Sequence, residues 1–260
     1  MLGAALVAAL GAAPAQAGQP CDTRPVSLYE MTRGLDLAGA TARLLQAQST
    51  EVAVIARVGQ DLRDYDQHYS HIGFVYRQPA QGGQPGPWRV VHKLNECGSA
   101  AAHLYRQGLA EFFSDALFEW QAAVLPLGPD TAMKVQAVLN DPRRLARVHE
   151  RQYNMLAYPW STQYQQSNQW VLETLAMAME PAIIARDQAQ AWLRFKGYRP
   201  DRLSISAFTR LGARISRANV AFDDHPNALR FADQIDTVTA DSALRWLVSA
   251  QLAQTSIIVK

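Results

Sequence analysis

The sequence has no excess of charge of either sign and almost no cysteine. Charged residues make up 18% of the 260 positions, and 25 Lys and Arg against 23 Asp and Glu leave a formal net charge of +2. A protein that binds the phosphates of nucleic acid needs a basic patch or stripe. We therefore expect no nucleic-acid partner.

The motifs of several large enzyme classes are also missing. The chain has no Gly-rich P-loop, no dinucleotide fingerprint, no His-Glu-x-x-His, no Gly-x-Ser-x-Gly and no Cys-x-x-Cys. These patterns mark P-loop NTPases, Rossmann dehydrogenases, zinc peptidases, α/β-hydrolases and thiol redox proteins, respectively. We therefore expect neither a metal ion nor another cofactor.

A long apolar run occurs only at the N-terminus. Residues 1–13 carry no charge, and Pro14-Ala15-Gln16-Ala17 has the small-x-small pattern that signal peptidase recognises. We expect a signal peptide at residues 1–17 and a periplasmic or secreted protein, although the segment lacks the usual leading Lys or Arg. A buried Ala-rich helix is the alternative. No segment reaches the roughly 20 apolar residues of a transmembrane helix, so no integral membrane span is expected.

Cys21 and Cys97 are the two cysteines of the chain. In an oxidising compartment an even pair favours a disulfide bridge, with two unpaired buried thiols as the alternative. Closing a loop of this length would stabilise the fold by about 4 kcal/mol in the chain-entropy model.

Predicted strands are concentrated in the first half of the chain and predicted helices in the second. Strands are indicated at residues 51–58, 71–77, 88–94 and 118–127, with a Gly- and Pro-rich hairpin loop at 78–87. Helices are indicated at 35–48, 129–139, 168–179, 185–196 and 241–253. Because the two types do not alternate, residues 18–260 predict a single α+β domain with an antiparallel sheet packed against helices.

Aromatic and amide side chains are interleaved between Tyr153 and Trp170. Rings and side-chain amides are suited to contacts with a small molecule, glycan or peptide of the cell envelope, although the same rings could cover the core. The candidate binding residues are Tyr158, Trp160, Tyr164, Asn168, Gln169 and Trp170.

Three stretches carry the candidate chemistry: Ser70-His71-Ile72-Gly73-Phe74-Val75, Val90-Val91-His92 and Ser167-Asn168-Gln169-Trp170-Val171. They resemble the circularly permuted papain-like enzymes of the NlpC type, in which a His-bearing strand precedes a strand with an orienting polar residue. A Cys-Ser-Glu-Phe-Val-like stretch then opens a helix, and Ser167 stands where that Cys would be. With Tyr-Asn-Met-Leu-Ala-Tyr-Pro and Phe-Asp-Asp-His-Pro, the stretches also resemble a bacterial family known as a domain of unknown function.

The papain-like resemblance implies a papain-like fold and a hydrolase or acyltransferase acting on an amide or ester of a cell-wall peptide or lipid acyl group. It assigns Ser167 as nucleophile, His71 as general base and His92 as the residue that orients the base. A nucleophile at a helix N-terminus lies among unpaired backbone N–H groups, which favour an anionic attacking atom. A serine hydroxyl needs a better-placed base than a thiol does.

Each of these residues also has a structural interpretation. Ser167 is a preferred residue for a helix N-cap, and His71 and His92 could be satisfied by backbone and core contacts. His68, His71 and His92 are also conceivable metal ligands, but a fourth ligand is not evident. Asp223-Asp224-His225 is typical of a turn before Pro226. The second functional hypothesis is therefore a non-catalytic binding or structural protein of the cell envelope.

Overall fold

The structure is a computed structural model that describes residues 25–48, 51–80, 82–206, 209 and 219–260. The predicted signal peptide at residues 1–17 and Cys21 lie outside the described residues. Both the signal peptide and the Cys21–Cys97 bridge therefore stay predictions.

The elements of the first half are α1 (Leu28–Ala47), β1 (Val52–Val58), a 3-10 turn (Arg63–Tyr65), β2 (His71–Arg77), β3 (Trp88–Asn95), β4 (Ala102–Gly108), α2 (Leu109–Phe112) and β5 (Glu119–Pro126). Those of the second half are α3 (Pro129–Leu139), α4 (Pro142–Arg147), α5 (Ser167–Met179), α6 (Arg186–Phe195), β6 (Asp201–Ser204), α7 (Asn227–Phe231), β7 (Gln234–Thr237), α8 (Ala240–Ser249) and β8 (Ile257–Val259).

Six strands form one antiparallel sheet in the order β4-β3-β2-β1-β5-β8. In the central strand β1, Ile55 lies opposite Gly73 on β2 and Val124 on β5. The predicted hairpin is present as the β2–β3 pair, with Phe74 opposite Val91. The α+β class and the antiparallel sheet packed against helices are confirmed.

Helices cover both faces of this sheet. Side chains alternate along a strand, so Val52, Val54 and Ala56 pack with α3, α5 and α8. Ala53 and Ile55 face the other way and pack with α1 and α2. Burial on both faces explains why residues 52–56 of β1 form an uninterrupted apolar run rather than an alternating one. None of the helices in the described residues has the length and apolar composition required to span a bilayer.

The start of α1 and the end of α8 differ most from the predicted boundaries, and strands β4, β6, β7 and β8 were not predicted. α1 begins at Leu28 because Ser27 and Glu30 form a capping box, and the exposed apolar side chains of its first turn obscured the amphipathic pattern. α8 ends at Ser249, before Gln251 adopts a φ of 58°. β4 was missed because it is a polar edge strand with little apolar alternation.

A second sheet pairs β6 with β7 in antiparallel register. Leu203 lies opposite Ile235, and both belong to a small apolar cluster with Phe222. Asn154, in the loop between α4 and α5, contacts the chain next to this cluster, because its Nδ2 donates to Ala221 O at 2.9 Å. This small sheet forms one wall of the site described next.

Candidate active site

His71 and His92 are brought together by the antiparallel pairing of β2 and β3. His71 is the first residue of β2, and His92 lies within β3. Gly73 permits the close approach, because a Cβ added there would lie 3.0 Å from both His92 Cβ and Val91 O. The glycine of the Ser-His-Ile-Gly motif is thus required by the distance between the two strands.

A continuous series of hydrogen bonds begins at Ser167. Its Oγ lies 3.3 Å from His71 Nδ1, and His71 Nε2 lies 2.8 Å from His92 Nδ1. His92 Nε2 then lies 2.7 Å from Gln107 Oε1, and Gln107 Nε2 donates to Glu111 Oε1 at 3.1 Å. Residues 96 positions apart in the chain thus share one polar network.

One set of imidazole tautomers satisfies this whole series. Because the Gln107 amide nitrogen donates to Glu111, its oxygen accepts a hydrogen bond from His92 Nε2–H. His92 Nδ1 therefore accepts from His71 Nε2–H. This leaves the His71 Nδ1 lone pair facing the Ser167 hydroxyl, as a general base requires.

Burial keeps both imidazoles neutral. Desolvation is the largest cause that lowers the pKa of His71 well below its usual 6.5, and the positive charge of Arg57 adds to it. The same two causes lower the pKa of His92 from 6.5 to about 4. The Arg57 guanidinium is itself held by the Phe112 carbonyl and by Asp115. At neutral pH each ring therefore carries one N–H, in agreement with the tautomers assigned above.

Ser167 is the first residue of α5, and the N-cap position belongs to Gln166, which makes no side-chain capping bond. The Ser167 hydroxyl faces His71. The next residue, Asn168, holds the helix against the sheet because its Oδ1 accepts from Ile72 N at 3.1 Å and its Nδ2 donates to Val238 O. Asn168 thereby fixes the position of the hydroxyl relative to β2.

Tyr153 is a further side chain at this position. It is buried, it lines the same cavity as Ser167, and burial raises its pKa. A phenol that stays protonated can donate a hydrogen bond beside the Ser167 oxygen. The sequence indicated Tyr153 only as part of the aromatic segment.

A cavity of about 490 Å³ opens beside Ser167. Its described lining comes from the loop before β2, the 153–168 segment, β6, the residues around Val220, and the start of α8. The lining residues are Gln60, Asp61, Leu62, Tyr65, Gln67, Tyr69, Ser70, Tyr153, Met155, Leu156, Gln166, Ser167, Asn168, Leu203, Ile205, Thr209, Val220, Phe222, Thr237, Val238, Thr239 and Ala240.

Residues 44–247 match a family described as an uncharacterised protein conserved in bacteria, DUF2145. The chain belongs to this family. The DUF2145 match contains β2, β3, β4 and α5, and therefore every residue of the hydrogen-bonded series from Ser167 to Glu111. No curated protein and no solved structure matches the chain.

Three of the predicted binding residues of this DUF2145 chain, Tyr158, Trp160 and Tyr164, lie outside the lining of the cavity beside Ser167. Trp160 lines a different cavity of about 540 Å³, where the Arg194 guanidinium lies 4.4 Å from its ring centroid. The Tyr164 hydroxyl is 3.2 Å from Asp223 Oδ2 near the surface.

Of the other three predicted binding residues, Asn168 lines the cavity and Gln169 and Trp170 are in the core. Trp170 packs edge-on against Phe74, with ring centroids 6.1 Å apart. Gln169 donates to Pro159 O and to Glu173. The segment from Tyr153 to Trp170 has no clear apolar periodicity, so the sequence did not indicate that Gln169 and Trp170 are buried.

The glutamines of this region belong to a buried network around Glu173. This carboxylate is fully buried and accepts hydrogen bonds from Gln165, Gln169, Arg186 and Gln190. Gln165 also accepts from Lys93 Nζ at 2.7 Å, and burial is the largest cause that lowers the Lys93 pKa from 10.5 to about 7. The network holds the loop before α5 against α6 and β3.

The late Asp223-Asp224-His225 stretch also makes structural contacts. Asp224 Oδ2 accepts from Tyr158 N at 2.7 Å, and His225 Nε2 donates to Leu156 O at 2.7 Å. These bonds attach the 223–225 turn to the loop that carries Tyr153. They fix the backbone on one side of the cavity.

His68 does not join the other two histidines. Its Nε2 lies 2.6 Å from the Gln121 side-chain nitrogen, and its ring packs on Tyr69. Within the described ranges, the structure contains no group of three His, Cys, Asp or Glu residues that could hold a metal ion.

Gln107 was not found by sequence reasoning, although it completes the hydrogen-bonded series. It lies on β4, opposite Val90 of β3. The strand that positions it was itself not predicted, and a single glutamine in a polar stretch gives no signal of its own. Only the pairing of β4 with β3 places its amide beside His92.

Proposed function

We propose that the protein is a hydrolase or acyltransferase that cleaves an amide or ester, with Ser167 as nucleophile, His71 as general base and His92 as the orienting residue. The observation that supports it most is the series of contacts Ser167 Oγ–His71 Nδ1 and His71 Nε2–His92 Nδ1, at 3.3 and 2.8 Å. Nucleophile, base and orienting group in that order form the arrangement used in nucleophilic acyl transfer.

The proposed reaction begins when His71 Nδ1 takes the Ser167 hydroxyl proton while Oγ attacks the substrate carbonyl carbon. The tetrahedral intermediate then collapses, and protonated His71 returns the proton to the leaving amine or alcohol. Water or an acceptor alcohol, deprotonated by His71, releases the acyl group from Ser167. Hydrolysis and acyl transfer differ only in this last nucleophile.

The negative charge of the intermediate would be stabilised at the start of α5. The first backbone N–H groups of a helix have no partners within the helix and lie at its positive end. The Tyr153 hydroxyl, whose buried ring lines the cavity with Ser167, would add a side-chain donor. Donors fixed in a buried site stabilise an oxyanion more strongly than mobile water does.

The proposed orienting residue, His92, is an imidazole rather than a carboxylate. Neutral His92 fixes the His71 tautomer, but it stabilises the His71 imidazolium less than a negative charge would. Arg57 disfavours that cation further. We therefore propose a slow enzyme, or one that depends strongly on the oxyanion donors.

The order of the elements supports a papain-like assignment of the permuted NlpC type. The strand with His71 comes first, the strand with His92 is its neighbour, and Ser167 opens a helix packed on the same sheet. We include in the proposal a periplasmic or secreted location, the signal peptide at residues 1–17 and the Cys21–Cys97 bridge. Intact masses before and after reduction and alkylation test the bridge, and two thiols that alkylate without reductant would contradict it.

A fluorophosphonate probe that phosphonylates activated serines tests the mechanism. We expect labelling of the native protein and loss of labelling in both Ser167→Ala and His71→Ala, with unchanged melting temperatures. Ser114→Ala is the matched control, because Ser114 is exposed and its hydroxyl donates to Ala110 O. Labelling that survives Ser167→Ala, or a native protein that never labels, would contradict the proposal.

The alternative function is a non-catalytic binding or structural protein of the cell envelope. The cavity of about 490 Å³ could hold a ligand in such a protein, and it favours the binding function only if the Ser167–His71 pair is inert. Such a protein would bind its ligand in the cavity and return it unchanged, so a bound but uncleaved ligand, together with absent labelling, would support this alternative.

A further inference from the structure

The wall of the cavity that does not carry Ser167 is apolar. It is formed by the small cluster around β6, from which Leu203, Ile205, Val220, Phe222, Met155 and Leu156 line the cavity. Leu62, Val238 and Ala240 add further apolar side chains to the lining. Ligand cavities with mostly apolar walls and a few polar groups bind apolar ligand parts in a fixed orientation.

Charge is almost absent from the described lining. Asp61 is its one charged side chain. Arg63 neutralises that carboxylate, with Nε 2.8 Å from Oδ1 and Nη2 2.6 Å from Oδ2. Among the described lining residues there is no Lys or Arg to pair with the carboxylates of an acidic peptide.

The charges of the β6–β7 sheet are directed away from the cavity. Leu203 of β6 lines it, whereas the neighbouring Arg202 pairs with Asp236 of β7 at 2.7 Å and lines the other cavity, which also contains Trp160. Successive side chains of a strand point to opposite faces, so the same short sheet is apolar toward Ser167 and ionic on its other side.

Most polar side chains near Ser167 already have protein partners. Gln166 donates to Thr237 Oγ1 at 2.7 Å, and Thr239 donates to Asp201 at 2.6 Å. Both ends of the Asn168 amide are hydrogen-bonded as well. These groups shape the cavity without requiring a polar ligand, and the Ser167 and Tyr153 side chains line the same cavity, where a substrate carbonyl could reach them.

Resting on the proposed function, we infer that the substrate is an ester or amide of an apolar acyl group, whose chain occupies the cavity against Leu203 and Phe222 while its carbonyl lies at Ser167. The bond from Ser167 Oγ to the acyl carbon forms, the bond to the leaving oxygen or nitrogen breaks, and the Ser167 proton leaves with that group through His71. Water then cleaves the acyl-enzyme to the free carboxylic acid and restores the Ser167 hydroxyl.

The test is the dependence of kcat/KM on acyl length, measured with p-nitrophenyl acetate, butyrate, octanoate and laurate on the full chain. Each methylene that enters the cavity should raise kcat/KM by about fourfold until the chain outgrows it. A fluorogenic amide of an acidic peptide serves as the competing substrate class. We expect kcat/KM for this peptide to be lower than kcat/KM for the octanoate ester by at least the octanoate-to-acetate ratio.

A polar substitution in the apolar wall sharpens the test. Leu203→Gln keeps the side-chain size but should reduce the octanoate-to-acetate ratio of kcat/KM by about tenfold or more, whereas Leu203→Met should keep the ratio. Phe231→Ser is the matched control, because Phe231 is 85% exposed and does not line the cavity.

The outcomes separate this inference from the proposed function. A flat length profile, or a preference for the acidic peptide, would overturn the inference while fluorophosphonate labelling at Ser167 leaves the mechanism standing. Absence of both turnover and labelling would overturn the two together. A rising profile that Leu203→Gln flattens and Phe231→Ser does not would support the apolar acyl substrate.

Discussion

His71 Nε2 lies 2.8 Å from His92 Nδ1, so the imidazoles of two neighbouring strands form a buried, neutral pair. The contact depends on Gly73, whose missing Cβ leaves space for His92, and on Gln107, whose amide fixes the His92 tautomer. A buried pair of this kind has one ring nitrogen free to accept a proton. In this protein that nitrogen faces Ser167.

The proposed role of His92 as a positioning residue predicts different effects for two substitutions. His92→Ala should reduce labelling and ester turnover on the order of 100-fold, because His71 loses the acceptor that fixes its tautomer. His92→Asn should recover a large part of that loss, since an amide oxygen can accept the same His71 N–H. Equal losses in both variants, measured as kcat at saturating ester, would mean that His92 has only a packing role.

The low pKa values of the histidines predict the pH profile of activity. Burial lowers the pKa of His71 well below 6.5, so this proposed base stays neutral through pH 6.5, and the acidic limb of kcat/KM should fall below that value. An acidic limb centred at the ordinary histidine pKa of about 6.5 would contradict this placement of the base. Stopped-time ester assays between pH 4 and 9 measure it.

The buried imidazole of His92 predicts that acid destabilises the folded protein. Burial lowers the pKa of His92 from its ordinary value of 6.5 to about 4, so below pH 6.5 the unfolded chain binds protons that the folded protein does not. The free energy of unfolding should therefore fall with decreasing pH, by about 3 kcal/mol from this group between pH 6.5 and 4. Urea unfolding of native protein and His92→Asn across that range isolates the contribution, and parallel curves would contradict it.

The close approach at Gly73 predicts a steric effect. Gly73→Ala places a Cβ 3.0 Å from His92 Cβ and Val91 O, so we expect destabilisation of about 1–3 kcal/mol and weaker labelling of Ser167. Gly39→Ala is the matched control in α1, where the nearest atom to the new Cβ is Arg43 Nη1 at 3.5 Å. This control should stabilise the protein by about 0.5–1 kcal/mol, as measured by urea unfolding.

The buried network around Glu173 predicts a large loss of stability. Glu173→Ala leaves the Arg186 guanidinium without its carboxylate in the core, and we expect a loss of about 3–5 kcal/mol in the free energy of unfolding. Asp130→Ala, which breaks the exposed i,i+4 pair with Lys134, should cost less than about 1 kcal/mol. Similar losses in the two variants would show that Glu173 is not the centre of the network.

Elements whose signals are local could be predicted from the amino-acid sequence. Strands β2 and β3 and helices α3 and α5 were predicted to within about a residue, because apolar periodicity, Gly and Pro act over a few positions. The edge strand β4 and the short β6–β7 sheet were missed, since four to seven mixed residues carry little periodic signal. For the site, the resemblance to the permuted NlpC-type enzymes nominated His71, His92 and Ser167.

The contacts of those residues depend on long-range packing and could not be predicted. Hydrogen bonds between positions 96 apart depend on the order of strands and on α5 packing against β2, which no local pattern encodes. The same long-range packing buried Gln169 and Trp170, recruited Gln107 and Tyr153 to the site, and turned the apolar side of β6 toward Ser167. Residue type and spacing fix which groups are available, whereas the folded chain fixes their distances, burial and protonation, on which the chemistry depends.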